Sequence, residues 1–185
     1  MKLVLSALAI AINIILGTVV DSLKIPLLFL DTLGTIYITS QIGLSYGILT
    51  GVCTNLVMGL FTGPTAIPFA IVNVATAVVV YLFSKKKFTI VKAVIAGLIL
   101  AIVCPMLGTP IRLLLFGGFT GSGTDILIMA FKASGKEIFA STFMATVAGN
   151  FVDKIASCVL IAAVSKYLPS VYADKKAPKG ALTDS

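Results

Sequence analysis

The stretch EIFASTFMATVAGNFVDKIASCVLIAAVSKY, residues 137–167, decides the class of this chain. It is long and apolar enough to cross a bilayer, yet it carries Asn150, Asp153 and Lys154 in its interior. An ionisable group in hydrocarbon costs about 2.5 to 3.5 kcal/mol on insertion scales, so such groups persist where they pair, face a wet cavity or bind something. The stretch therefore predicts a polar site inside a hydrophobic bundle.

The composition of the whole chain points the same way. Of its 185 residues, 58% are hydrophobic and 11% are charged, whereas a soluble domain carries about 25% charged residues. This composition predicts an all-α integral membrane protein. Residues 1–168 are expected to form one six-helix membrane domain, and residues 169–185 a flexible cytoplasmic tail. The net charge of +7 comes largely from lysines at segment ends and in the tail, which is typical of membrane anchors and not of nucleic-acid binding.

Six membrane-spanning helices are predicted from hydropathy, and the fifth is expected to be interrupted by Pro105 and Pro110. The predicted spans are residues 3–20, 27–41, 42–61, 65–83, 91–116 and 137–167. Six spans put both termini on one side, and the lysine distribution places that side in the cytoplasm. The last outer connection is rich in glycine and contains the apolar island ILIMAF at residues 126–131. We expect this island to act as a lid that folds back onto the bundle.

Small residues recur every four positions on two predicted helices. Ala7 and Ala11 form such a pair on the first, and a longer row runs along the third. The members of that row are Gly43, Gly47, Gly51, Asn55 and Gly59. Rows of this kind let helix backbones approach closely. They serve either packing within the chain, which is favoured for the glycine row, or docking of another membrane protein.

Polar residues in the last two spans have two interpretations each. Asn150 could form part of a ligand floor or of a network between helices, and Asp153 and Lys154 favour the network. Arg112 offers a fixed fork of donors to an anionic or carbonyl group, or it pairs with Asp125 or Glu137.

The amides Asn55 and Asn73 suit a heterocyclic or hydroxylated ligand, and they equally suit bridging between helices. No motif for catalysis is present, and we expect no enzyme activity and no cofactor. Cys53, Cys104 and Cys158 lie at wide spacing and the sequence contains no histidine, so no metal site is expected.

The layout resembles the substrate-binding (S) component of an energy-coupling factor vitamin transporter. The residues that carry the resemblance are Ala7 and Ala11, the stretch from VVDSLKIPLLFLD to TAIPFAIVN at 19–73, and NFVDK at 150–154. Residues 19–73 look like members of that family from Gram-positive bacteria, and the similarity covers about residues 2–168. The resemblance implies a multi-pass protein of the bacterial plasma membrane.

The resemblance also implies partners and a site. Members of the family bind a vitamin or its precursor from outside and dock through the first helix onto a membrane coupling subunit, which sits on two cytoplasmic ATPases. Ala7 and Ala11 would form the docking face. The residues that would bind the ligand are Asn73, Arg112, Asp125, Glu137, Ser141 and Asn150.

The polar residues favour a small, hydroxylated, near-neutral ring compound, either pyridoxine-like or of the pyrimidine type. Two other functions stay open. One is a membrane ligand-sensing module that signals through an output domain or a partner. The other is a stand-alone small transporter coupled to an ion gradient through Asp153 and Lys154.

Overall fold

The computed structural model describes residues 1–85 and 87–167, and every regular element in those ranges is helical. The α-helices are α1 (Lys2–Ser22), α2 (Leu33–Gln41), α3 (Leu44–Thr62), α4 (Ala70–Ser84), α5 (Ile90–Phe116), α6 (Thr124–Ala133) and α7 (Ile138–Val164). A 3₁₀-helix, Pro64–Phe69, leads directly into α4. The predicted tail at 169–185 lies outside the described residues.

Five helical stretches in the described ranges are long and apolar enough to cross a membrane. They are α1, α3, α5, α7 and the continuous stretch Pro64–Ser84. The chain is therefore an all-helical, multi-pass membrane protein, as its composition predicts. The span predicted at 27–41 differs, because α2 has only nine residues. At 1.5 Å per residue it is about 14 Å long, less than half of a hydrocarbon core of about 30 Å.

Residues 23–32, which we call the inner segment, connect α1 to α2 without regular structure. Lys24, Leu27 and Leu30 have φ values of 52°, 68° and 52°. Side chains other than glycine rarely adopt this left-handed region, and holding them there costs free energy. The helix expected from residue 27 onward therefore begins only at Leu33, and the inner segment needs hydrogen-bond partners from elsewhere in the molecule.

Helix α5 is continuous from Ile90 to Phe116, so the expected interruption at Pro105 and Pro110 is wrong. Its packing against α7 is the most extensive helix pairing in the described part of the chain. Gly97 allows that close approach, because a Cβ atom there would lie 2.7 Å from the Cα of Ile155. Neighbouring helices can compensate for the backbone hydrogen bonds that proline removes in a membrane helix.

The glycine row on α3 packs inside this chain. A Cβ atom on Gly47 would lie within 3 Å of the side chain of Thr39 on α2, and one on Gly51 would lie 3.0 Å from the Cβ of Asn73 on α4. The favoured interpretation of the row as internal packing is thus confirmed.

Helix α1 contacts α2 and α3 and leaves its other face uncovered within the described chain. Ala7 and Ala11 are exposed on that face, beside the exposed Leu8 and Ile12. At the other side of the molecule, the apolar island at 126–131 lies in α6, which packs on α7. The island therefore folds back onto the bundle, as expected.

Candidate functional site

A cavity of about 410 Å³ lies at one end of the bundle. At this end of the bundle, α1, α3 and α5 finish and α4 and α7 begin. The inner segment and residues 120–124 complete its wall. Ligand pockets commonly measure about 300 to 1,000 Å³, so this cavity suits a small ring compound and not a bulky one.

Three of the six predicted ligand residues line this cavity, namely Asn73, Arg112 and Asn150. The other three do not. Asp125 forms an ion pair with Arg112 and is not itself a lining residue. Ser141 is buried and donates its hydroxyl to the carbonyl oxygen of Lys136 at 3.3 Å. Glu137 is exposed at the residue before α7.

Helix α7 presents one polar row to the cavity. Thr146, Asn150 and Lys154 follow at intervals of four residues and all three line it. The Nδ2 of Asn150 donates to the carbonyl oxygen of Thr146 at 2.9 Å. Among residues 1–85 and 87–167, the Asn150 Oδ1 accepts no hydrogen bond. The Asn150 Oδ1 is therefore available to accept a hydrogen bond from a ligand in the cavity.

Lys154 is the centre of a charged cluster at the floor. Its Nζ lies 2.8 Å from Oδ2 of Asp153, 2.9 Å from Oγ1 of Thr32 and 3.3 Å from Oδ1 of Asp31. The ammonium group donates hydrogen bonds to Thr32 and Asp31, and it forms an ion pair with the Oδ2 of Asp153, which accepts no hydrogen bond within the described ranges. A polar network, the interpretation favoured for Asp153 and Lys154, is thus present.

Asp153 fixes the inner segment. It is fully buried, and its Oδ1 accepts the backbone N–H groups of Phe29 at 2.9 Å and Leu30 at 2.8 Å. Irregular backbone at membrane depth is tolerated only where protein or a wet cavity satisfies its polar groups. This carboxylate meets that requirement, and it holds Leu30 in its left-handed conformation.

Arg112 is the centre of a second charged cluster, nearer the cavity mouth. Its Nη2 pairs with the Asp125 carboxylate and donates to Oγ of Ser122 at 3.2 Å, and its Nε donates to the carbonyl oxygen of Gly118 at 2.6 Å. Of the two interpretations, pairing with Asp125 is therefore present. Its Nη1 makes no hydrogen bond within the described part of the chain.

Asp125 in turn holds the chain that follows α5. It accepts the backbone N–H groups of Gly121 at 2.6 Å and Thr120 at 3.3 Å. We call residues 117–123 the strap. The strap crosses the cavity mouth beside Lys24, whose Nζ donates to the carbonyl oxygen of Gly121.

A network of amides and hydroxyls bridges the first four α-helices beside the cavity. It shows the bridging role that was one interpretation of Asn55 and Asn73. Its bonds are Asn13 Nδ2 to Thr35 Oγ1 (3.0 Å) and Thr54 Oγ1 (3.1 Å), Gly34 N to Asn13 Oδ1 (2.7 Å), Thr35 Oγ1 to Asn73 Oδ1 (2.8 Å), Asn73 Nδ2 to Asn55 Oδ1 (2.9 Å) and Asn55 Nδ2 to Ala66 O (3.1 Å). Asn13 was not predicted as a site residue, although an amide in an apolar span is a signal of an internal polar contact.

Three phenylalanines, Phe29, Phe69 and Phe116, line the cavity, and no sequence pattern selected them as site residues. Phe69 and Phe116 lie with their ring centroids 6.4 Å apart. The ring of Phe29 lies 6.0 Å from Nζ of Lys154. The cavity thus combines a flat apolar surface with a few polar groups, which is the usual composition of a small-molecule site.

Comparison of the chain with family models, curated proteins and solved structures finds no match. In the two described ranges, no group of three or more His, Cys, Asp or Glu side chains is placed to hold a metal ion.

Proposed function

We propose that this chain binds a small water-soluble vitamin or precursor at the outer face of a bacterial plasma membrane and delivers it as the S component of an energy-coupling factor importer. The observation that carries the proposal is the compact cavity at one end of the bundle, covered by the strap. Two polar atoms on its wall are left without partners among the described residues, Oδ1 of Asn150 and Nη1 of Arg112. Unpaired polar groups around an apolar cavity favour reversible binding of a polar ring compound.

The orientation in this proposal follows from the charges at the two ends of the bundle. The end that holds the cavity carries the acids Asp21, Asp31, Asp125 and Glu137 together with three lysines, Lys24, Lys132 and Lys136. The opposite end carries Lys2, Lys85, Lys87, Lys92 and Lys166. Because lysines collect on the cytoplasmic side, the cavity would open to the outside and both ends of the chain would lie in the cytoplasm.

The proposed partners are a membrane coupling subunit and two cytoplasmic ATPases. The uncovered face of α1 supports a docking role, since Ala7 and Ala11 are small, exposed and four residues apart. Small residues at this spacing let a second helix approach closely.

Bulky substitution on that face tests the docking. We expect Ala7→Trp or Ala11→Trp to lower ATP-dependent uptake about tenfold or more, since each 1.4 kcal/mol of lost docking energy is a factor of ten. Binding by the purified variants should not change, because neither residue lines the cavity. Ala156→Trp on the exposed face of α7 is the matched control and should transport normally. Normal uptake by the α1 variants would contradict the docking role.

Reconstitution tests the function itself. The substrate is first identified by mass spectrometry of the compound that co-purifies with the chain. Liposomes that contain this chain with the coupling subunit and both ATPases should then accumulate that compound only when ATP is inside. Accumulation against a gradient by the purified chain alone would contradict the proposal.

The Asp153–Lys154 pair is the observation that would favour a stand-alone ion-coupled transporter. In the structure, however, these groups are occupied by the inner segment, Thr32 and Asp31. A sodium or proton gradient that drives uptake without ATP would favour this alternative. A membrane sensor would instead bind its ligand without moving it, in the presence or absence of the ATPases.

A further inference from the structure

The charged cluster at the cavity floor has more negative than positive charge. Lys154 contacts two carboxylates, those of Asp153 and Asp31, so three charged groups carry a formal sum of about one negative charge when both acids are ionised. Two hydrogen bonds and an ion pair hold Lys154 in this cluster, and the net negative charge of the cluster disfavours an anionic ligand beside it. The floor therefore does not attract anions, although it contains a lysine.

Asp31 is the member of the cluster that is open to the cavity. Its side chain is 52% exposed and lines the cavity, whereas Asp153 is fully buried. Lys154, the partner of Asp31, lies about 24 Å along α7 from the first residue of that helix, Ile138, at 1.5 Å per residue. A carboxylate facing lipid at that depth would be costly, so the open side of Asp31 faces the interior of the cavity.

Asn150 supplies an independent observation at the same place. It is 5% exposed, lines the cavity one helical turn from Lys154, and its Oδ1 has no hydrogen-bond partner in the described ranges. This oxygen accepts no hydrogen bond there and is not fully enclosed by protein, so it is open to a ligand that donates a hydrogen bond. Asp31 and Asn150 are both acceptors, and the ring of Phe29, which lies 6.0 Å from Nζ of Lys154, also lines the cavity and supplies an apolar surface for a ring compound.

We propose that the ligand is a small ring compound with a protonated amine or a cationic ring nitrogen at its buried end. Asp31 binds this cationic group, Asn150 accepts a hydrogen bond from the ligand, and Phe29 packs on the ring. At the mouth, the free Nη1 of Arg112 donates to an acceptor on the opposite end of the ligand. This inference rests on the proposed substrate-binding function and narrows the expected pyridoxine-like or pyrimidine-type compounds to their amine-bearing members.

The test measures binding of matched probes to the purified full chain by calorimetry and by thermal stabilisation. Pyridoxamine is compared with pyridoxine, and aminomethylpyrimidine with hydroxymethylpyrimidine, since each pair exchanges an amine for a hydroxyl on the same ring. The amine of at least one pair should bind about tenfold to hundredfold more tightly, the range expected for hydrogen bonds to a charged group. This comparison needs no variant and so does not depend on the folding of a mutant.

Asp31→Asn assigns the preference to a residue. It should remove most of the difference between amine and hydroxyl, whereas Asp21→Asn, a carboxylate that also lines the cavity but lies on α1, should keep it. The proposal is overturned if a hydroxymethyl or carboxylate probe binds as tightly as the amines, if no amine probe binds, or if Asp31→Asn keeps the full preference. Failure of ATP-driven uptake with amine-selective binding intact would overturn the importer role and leave this inference standing.

Discussion

Two buried carboxylates, on α6 and α7, each hold a non-helical segment by hydrogen bonds to its backbone. Asp125 and Asp153 each accept two backbone N–H groups from a segment that is not helical, and each stands beside a buried cation. The partners of Asp125 lie within 13 residues of it in sequence. The backbone partners of Asp153 lie 123 and 124 residues away.

This difference in sequence separation predicts a difference in mobility. The strap is a movable cover over the cavity, and the inner segment is a fixed part of the cavity wall. The strap, its aspartate and its arginine form one local unit, and the exposed hydrogen bond from Lys24 joins the strap to the inner segment and not to α7. The strap can therefore leave the mouth without separating α5 from α7. The inner segment is tied to α7 by Asp153, so its release requires tertiary contacts to break. We therefore expect the strap to open as the ligand enters and the inner segment to stay in place.

The largest effect is expected from Asp153→Asn. This change removes the buried one of the two carboxylates beside Lys154 and weakens the hold on Phe29 and Leu30. Removing one partner of a buried ion pair costs about 3 to 5 kcal/mol, so the yield of monodisperse protein and its unfolding temperature should both fall clearly.

A double variant sharpens this result. Asp153→Asn with Lys154→Met removes both charges, and it should recover part of the lost stability, since the buried ammonium, which the single variant leaves with only the half-exposed Asp31 as counter-charge, is gone. A wild-type unfolding temperature for Asp153→Asn alone would show that the inner segment does not depend on this carboxylate.

A smaller and local effect is expected from Asp125→Asn. It weakens the hold on the strap by about 1.5 to 3 kcal/mol, the value of hydrogen bonds to a charged group. Arg112 lies four residues before the end of α5, where water can hydrate it once the strap lifts. Amide hydrogen exchange should therefore accelerate at residues 117–123 with a modest change in unfolding temperature.

Lys132→Ala, on the exposed side of α6, is the control for that exchange measurement and should leave the strap protected. If Asp125→Asn destabilises the whole protein as strongly as Asp153→Asn, the distinction between cover and wall is wrong.

The smallest effect on stability is expected from Asn150→Leu, which belongs to neither charged cluster. Its only hydrogen bond in the described ranges lies within its own helix, so the unfolding free energy should change by about 0.5 kcal/mol or less. Ligand affinity should fall about tenfold, because a donor on the ligand loses its acceptor. Unchanged affinity, measured by calorimetry, would make Asn150 a packing residue.

Asn73→Leu is the matched contrast. Asn73 lines the same cavity, but it joins Thr35 to Asn55. Its replacement should therefore lower stability as well as affinity.

Helical periodicity predicted the part of the site that lies on one face of one helix. Asn150, Arg112 and Asn73, which were selected as ligand residues, line the cavity, and so does Lys154, which was expected to belong to a network between helices. Periodicity gives the face of a residue but not the depth at which a cavity ends. For that reason Glu137 and Ser141 were selected, although they do not line the cavity.

The inner segment could not be predicted from its own residues. Leucine favours helices, and nothing in residues 27–30 signals a left-handed backbone. The conformation depends on Asp153, which lies far along the chain. The role of Asp125 as the partner of Arg112 was left open for a simpler reason, since the sequence offered two acids for one arginine.

The long sequence separation between Asp153 and the backbone it binds affects the synthesis of the protein. A ribosome adds about 5 to 20 residues per second, so the 123 residues between Leu30 and Asp153 take roughly 6 to 25 s to synthesise at that rate. Throughout that interval the N–H groups of Phe29 and Leu30 have no carboxylate to bind. Until the last helix arrives, these groups therefore need another partner, which water or a transient helical turn of the segment itself can supply.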